Sequence, residues 1–179
     1  EKYTRMIADN TIVSALGKFY VKPGDVFFLP AGRVHAIGRG NFVVEIQEAS
    51  DITYRIYDYD RRDAQGNPRE LHVEQSKGAV NFNDTAQEAT NKTPAKGETL
   101  LVEQCPYFTT SVTDVDGQTI LDHKELDSFT IVISIEGNLD VLDPEGNVTA
   151  LPQGKTILVP ASVPSITVKG QGRILTTHL

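Results

Sequence analysis

The chain has 179 residues, 39% hydrophobic and 23% charged, a composition that fits one large or two small globular domains and excludes disordered, collagen-like and coiled-coil chains. Seventeen Lys and Arg against 24 Asp and Glu give a net charge of -7 and a pI near 5.0, which argues against nucleic acid or an anionic membrane as partner. One cysteine, Cys105, rules out an intramolecular disulfide, and no apolar run reaches the roughly 18 to 20 residues of a membrane span, so the chain reads as soluble and cytoplasmic.

In chain order, the opening Glu1-Lys2 in place of Met is the expected sign of a fragment or a processed chain. Met6, Ile7, Ile12, Val13 and Leu16 recur at helical spacing, which predicts one or two short helices before residue 20, with Asp9 or Asn10 as N-cap and Gly17 as stop. The 14 glycines and nine prolines then punctuate short Val, Ile, Phe and Tyr-rich runs at Val26 to Leu29, Phe42 to Ile46, Phe129 to Ile135 and Thr156 to Val159. These are strand signals, closely enough spaced for a sandwich or barrel. From Asn81 to Gly97 the sequence is polar and small and reads as a linker region. It separates a first unit (1–90, with a helical segment at 1–19) from a second (98–179), the linker proper being 91–97. Beyond it, Asp116-Gly117, Glu136-Gly137 and Glu145-Gly146 predict hairpin turns, the Asp-Gly pair being the strongest of the three signals.

An internal echo organises the chain. Gly24 to His35 and Gly154 to Ser165 share the pattern Gly, five residues, Pro-Ala, in which a turn glycine opens a strand and a proline corner closes it. The pattern suggests a duplicated β unit. The copies differ where chemistry is concerned: position 35 is histidine and its counterpart, 165, is serine, so only the first could offer a metal ligand.

The first copy also follows a cupin motif, Gly, five residues, Pro-x-Gly-x-x-His, through Gly24, Pro30, Gly32 and His35, with Arg39 where the closing Asn is usual. In cupins this histidine binds a metal; the alternative is a histidine that merely ends a strand. If Gly38-Arg39-Gly40 is a three-residue hairpin loop, His35 pairs with Val43 and Arg33 with Glu45, and His35 and Glu45 share a face. A carboxylate pointing into a barrel needs a partner or a proton-transfer role, the plain alternative being a salt bridge to Arg33 or Arg55.

Three stretches then resemble the bacterial type I mannose-6-phosphate isomerases: Pro30 to Gly38, Glu45 to Arg61, and Arg69-Glu70-Leu71-His72. The resemblance implies an all-β cupin or jelly-roll chain of two β units with a short helical segment near the N-terminus, the first unit being the C-terminal portion of a catalytic barrel and the second a metal-free β-domain. It implies zinc (Zn²⁺) as cofactor, a sugar phosphate as ligand, and interconversion of mannose 6-phosphate and fructose 6-phosphate. Position by position, His35 matches the last zinc ligand, Arg55 the catalytic arginine and Glu45 the acidic residue of proton transfer. Arg61 falls where some members carry a lysine near the phosphate. The family's remaining ligands belong to an N-terminal half that this sequence does not contain, so the chain alone is expected to be inactive, with that half as a candidate partner. Its oligomeric state is left open.

The residue types suit the chemistry. Aldose-ketose isomerisation through an enediolate needs a base beside the migrating proton and positive charge beside the developing oxyanion. Zn²⁺ and an arginine supply that charge, and a guanidinium can grip phosphate bidentately. Against this, Arg55 and Arg61 could instead pair with Asp51, Asp58, Asp60 or Glu45 as structural neighbours. Tyr57, Tyr59 and His72 read as structural, His123 and His178 have no supporting pattern, and Cys105 reads as a small buried apolar residue. A sugar-binding or regulatory cupin module without catalysis is the alternative function. A metal-dependent oxygenase is disfavoured by the lack of a second histidine at motif spacing.

Overall fold

Residues 1–50, 52–85 and 88–179 are described by a computed structural model; Asp51, set against the arginines above, and Ala86 and Gln87 of the polar region lie outside the described residues. Two units emerge, Glu1–Val21 with Phe27–Ala89, and Lys22–Val26 with Thr90–Leu179.

The first unit opens with α1 (Lys2–Ala8) and a 3-10 turn (Ile12–Ala15), and the periodic apolar residues Ile7 and Ile12 are both buried. Asp9 and Asn10, expected to start a helix, instead end α1: Asp9 is its C-cap, and Asn10 takes a positive φ of 55° while its N–H donates to the Ile7 carbonyl. Asparagine tolerates the left-handed region better than most residues, which makes it a helix terminator as readily as a cap. A second helix, α2 (Val73–Ala79), was not foreseen; Lys77 Nζ lies 2.6 Å from Glu74 across one turn. Tyr3 ties the two helices together through its hydroxyl, 2.8 Å from Ser76 Oγ, and sets its ring edge-on to Phe82.

Between them the expected strands do not form. The run 26–29 contributes only Val26, to the two-residue strand β1 (Asp25–Val26), and 42–46 forms no strand at all. The Gly38-Arg39-Gly40 hairpin, and with it the shared face of His35 and Glu45, is therefore not present. A strand is stable only beside another that accepts its hydrogen bonds. Here Phe27, Phe28, Leu29, Phe42 and Val43 are all exposed, Phe42 to 69%.

The second unit meets the all-β expectation. β1 pairs with β2 (Thr90–Asn91), and a seven-stranded antiparallel sheet is built from β3 (Thr99–Gln104), β4 (Thr109–Asp122), β5 (Thr130–Glu136), β6 (Leu139–Leu142), β7 (Val148–Leu151), β8 (Thr156–Val159) and β9 (Ser165–His178). The order is β3-β4-β9-β5-β8, with β6 joined to both β7 and β9. β4 and β9 match over 14 consecutive pairs, Thr109 opposite His178 through Asp122 opposite Ser165. Residues on one face, among them Val115, Val132, Val141, Leu151, Val168 and Ile174, form the core, as alternation along a strand favours, while β4 departs from it by burying both Val112 and Thr113.

The strongest turn signal fails and the two weaker ones hold. β4 runs straight through Asp116-Gly117, while Gly137 and Gly146, at φ 79° and 86°, turn the chain after β5 and between β6 and β7. Gly117 lies opposite Gly170 in the ladder, and the Asp116 carboxylate is held by Lys96 and Gln171, so the pair sits inside a continuous ribbon instead of reversing it. The internal echo is real in its turns: Asp25 N–H donates to Lys22 O and Lys155 N–H to Pro152 O, and Arg33 N–H donates to Pro30 O as Val163 N–H does to Pro160 O. Only the second copy completes the strand between, as β8 beside β5.

Two predictions follow from the packing of the sheet. At the bulge after Ser134 the backbones of β5 and β9 approach so closely that a Cβ at Gly172 would overlap the Glu136 carbonyl oxygen. Gly172→Ala should destabilise the second unit by about 1–3 kcal/mol, read as a lower melting temperature, whereas alanine at the open position Gly78 should not.

His123 is 6% exposed, with no partner for Nδ1 among the described residues; burial, then His178, lower its pKa from the usual 6.5, opposed by Asp122 and a backbone hydrogen bond at Val163. The unfolded chain then protonates this ring at a higher pH than the folded one, so stability is full above about 6.5 and declines as pH falls below it. Thermal melts between about pH 7 and pH 5 should show that decline, and His123→Gln should flatten it.

Candidate active site

The site residues all fall in the first unit, which is held by side chains more than by ladders. The corner Pro30-Ala31-Gly32-Arg33 turns with Gly32 at φ +85°, and a Cβ there would stand 2.6 Å from the Ala79 carbonyl oxygen. Asn81 N–H donates to Gly32 O at 2.9 Å, so the end of α2 and the residues after it close against the corner. Arg33 locks it. Its Nε and Nη2 bind both oxygens of Asp84, the second at 2.8 Å, and its Nη1 donates to Phe28 O. Each partner steadies the other's charge: hydrogen bonding holds the Asp84 carboxyl below its ordinary range and the Arg33 guanidinium above its own.

His35, two residues beyond the clamp, is exposed, and its Nδ1–H donates to the Arg33 carbonyl at 3.1 Å. That bond assigns the proton to Nδ1 and leaves Nε2 as the free lone pair. Glu45 is exposed and has no hydrogen-bond or ion-pair partner among the described residues, Arg33 being taken by Asp84. Val44 and Ile46 beside it are half-buried.

Arg55 is fixed at both ends. Its backbone N–H donates to His72 Nδ1 at 3.1 Å, its carbonyl accepts from His72 N–H at 2.7 Å, and its Nη1 donates to Glu70 O at 3.2 Å. Among the described residues no carboxylate neutralises it, whereas Arg33, Arg61 and Arg62 each have one within 3.1 Å. Both partners lie in Arg69-Glu70-Leu71-His72, one of the stretches that carry the resemblance, although His72 itself reads as structural in the sequence.

Arg61 takes the structural alternative. Its Nη2 lies 2.7 Å from Asp58 Oδ1, its ring neighbour is Tyr59 at 5.7 Å, and Arg69 approaches the same Asp58 oxygen at 3.8 Å. Asp58 is buried and its other oxygen has no hydrogen-bond partner among the described residues. The turn that presents Arg61 is a type I′ turn, with Arg61 N–H to Asp58 O at 3.0 Å and φ of 54° and 52° at Tyr59 and Asp60, positions where Asn-Gly is usual. Two successive left-handed side-chain-bearing residues store strain beside the candidate phosphate group.

No hydrogen bond or ion pair links His35, Glu45, Arg55 and Arg61 to one another among the described residues. Nor do those residues gather three or more His, Cys, Asp or Glu side chains into a metal-binding group. His35 offers one nitrogen, and a catalytic zinc site takes three protein ligands, so the donor set described here does not fit the ion on its own. No helix among the described residues is long and apolar enough to cross a membrane.

Comparison with known proteins fits this picture. The family description "Mannose-6-phosphate isomerase, cupin domain" matches residues 97–179. The chain is 34% identical over 182 residues to the mannose-6-phosphate isomerase ManA of Bacillus subtilis, covering 100% of this chain and 56% of that protein. It is 33% identical over 183 residues to the mannose-6-phosphate isomerase of Streptococcus mutans, covering 99% of this chain and 56% of the relative. The crystal structure of the mannose 6-phosphate isomerase from Bacillus subtilis superposes with a TM-score of 0.60 at 30% identity, covering 73% of this chain and 41% of the other. The chain thus spans about half the length of the curated relatives it matches. With an antiparallel cupin-like sheet at its C-terminal end, the chain carries the mannose-6-phosphate isomerase cupin domain over residues 97–179 and is similar along its length to about half of the mannose-6-phosphate isomerases it matches.

Proposed function

We propose that the chain supplies the arginine, the proton-transfer carboxylate and one metal-ligating histidine of a zinc-dependent mannose-6-phosphate isomerase, and that the rest of the active site comes from polypeptide equivalent to the half of the relatives that these residues do not span. The observation that carries the reading is Arg55, a guanidinium anchored through its backbone and Nη1 but not neutralised by any described carboxylate. Such a group can face an anion that forms only during the reaction. In this reading Glu45, exposed and unengaged, takes the proton from one carbon of the sugar and returns it to the next. Arg55 stands opposite the enediolate oxygen. Arg61 would turn part of its exposed guanidinium from Asp58 to the phosphate.

His35 would offer zinc its Nε2, the other ligands would come from beyond the described set, and the ion would supply Lewis-acid chemistry there. The exposed Phe27, Phe28, Leu29, Phe42 and Val43 support a need for further chain, because an apolar row of that kind is covered in a finished barrel. The single metal donor favours the alternative, a sugar-binding module without catalysis, for the 179 residues taken by themselves.

Two measurements test the proposal. The dialysed 179-residue chain should hold well under one equivalent of zinc and turn over no mannose 6-phosphate; stoichiometric zinc would mean that other residues complete the site. In the longer, active isomerase, Arg55→Lys should lower kcat by about tenfold or more with little change in KM, while Arg61→Ala should chiefly raise KM. Normal kinetics in both variants, with only thermal stability lost, would reduce both arginines to structural roles.

A further inference from the structure

We propose that His72 is the positioning residue for Arg55, acting as a neutral hydrogen-bond acceptor at Nδ1; the inference rests on the reading of Arg55 as the group opposite the enediolate. The two residues, 17 apart in sequence, exchange a reciprocal pair of hydrogen bonds: His72 N–H to Arg55 O at 2.7 Å and Arg55 N–H to His72 Nδ1 at 3.1 Å. The first is a backbone bond that any residue but proline could make at 72. The second needs an acceptor on the side chain, at the position that Nδ1 occupies. Histidine meets this only when Nδ1 carries no proton, which puts the proton on Nε2.

The surroundings make the bond consequential. Residues 52–58 form no strand, so the Arg55 N–H has no ladder partner and would lose its only described acceptor if Nδ1 were removed. His72 is also the N-cap residue of α2, and α2 is tied to α1 through Ser76 and Tyr3. The position of the Arg55 backbone is thereby referred to the two helices of the unit. The same segment accepts the guanidinium, since Arg55 Nη1 donates to Glu70 O, two residues before His72. Both ends of the arginine are aligned against one short stretch, Glu70 to His72. The His72 ring itself lies 6.1 Å from the Tyr54 ring, so packing and hydrogen bonding are two separable roles for one side chain.

Two substitutions separate them. His72→Phe keeps a ring for Tyr54 and removes the acceptor; His72→Asn keeps an acceptor near the Nδ1 position and removes the ring. Amide hydrogen exchange in the 179-residue chain should accelerate at Arg55 by about tenfold in H72F and return to the wild-type rate in H72N. If H72N exchanges as fast as H72F, or H72F is unchanged, the acceptor role is wrong. A test that needs no variant is the nitrogen-nitrogen scalar coupling across the Arg55 N–H to His72 Nδ1 bond, whose absence in the folded chain would also overturn the proposal. In the longer, active isomerase, H72F should lower kcat by about tenfold with KM within about twofold, and H72N should restore it. An impaired Arg55→Lys beside a normal H72F would defeat the positioning role alone. A normal Arg55→Lys would remove the premise and the proposal with it.

Discussion

Backbone groups need partners, and in the second unit β9 provides more of them than any other strand. It bonds along its whole length to β4, along its second half to β5 and near its start to β6, so that three strands depend on one. The core then assembles on the face that carries Ile166, Val168 and Ile174 of β9. The first unit has no equivalent of β9. Its extended segments carry the composition of strands, yet what holds them is a set of side-chain contacts: Arg33 on Asp84, Tyr3 on Ser76, His72 on the backbone of Arg55. Each is an interaction between residues far apart in sequence, and each fixes a corner or a helix end without burying the apolar residues between.

The two copies of the internal echo isolate the same cause. Their opening and closing turns agree bond for bond, because glycine at 24 and 154 and proline at 30 and 160 set local geometry without help from elsewhere. Thr156–Val159 has β5 to lie against and becomes β8; Phe27, Phe28 and Leu29 have no strand beside them and become none. Sequence specifies the ends of a strand locally and its existence only through a neighbour.

Legibility in the sequence follows that division. The all-β second unit, the helical start and the turns at Gly137 and Gly146 were readable, since periodicity and glycine placement are local properties. The Asp116-Gly117 turn does not form because a dipeptide that suits a hairpin can also sit inside a paired strand, and Lys96, Gln171 and Gly170, distant in sequence, hold it there. The pairing of His35 with Glu45 failed with its hairpin. Among the site residues, the salt bridge of Arg61 to Asp58 was one of the alternatives that spacing offered. The clamp of Arg33 on Asp84, 51 residues away, was not legible, because no periodic or motif signal connects the two; Arg55 and His72 both stood in stretches that carry the resemblance, but nothing local pairs the His72 ring with the Arg55 backbone.

The 14-pair ladder between β4 and β9 has a consequence for how the second unit is made. Its innermost pair, Asp122 with Ser165, already encloses more than 40 residues of chain, and its outermost, Thr109 with His178, encloses nearly 70. Loop-closure entropy is lost before those contacts form, which places this unit among slow, high-contact-order folders. The hairpin of β6 and β7 can form early and locally through the Asp143 to Asn147 loop, whereas β3 and β4 can only pair as a ribbon with most of its core face uncovered until β9 arrives. A folding intermediate of this chain would therefore expose one face of β4, and the rate at which residues 165–178 find it sets how long that face is open to other chains.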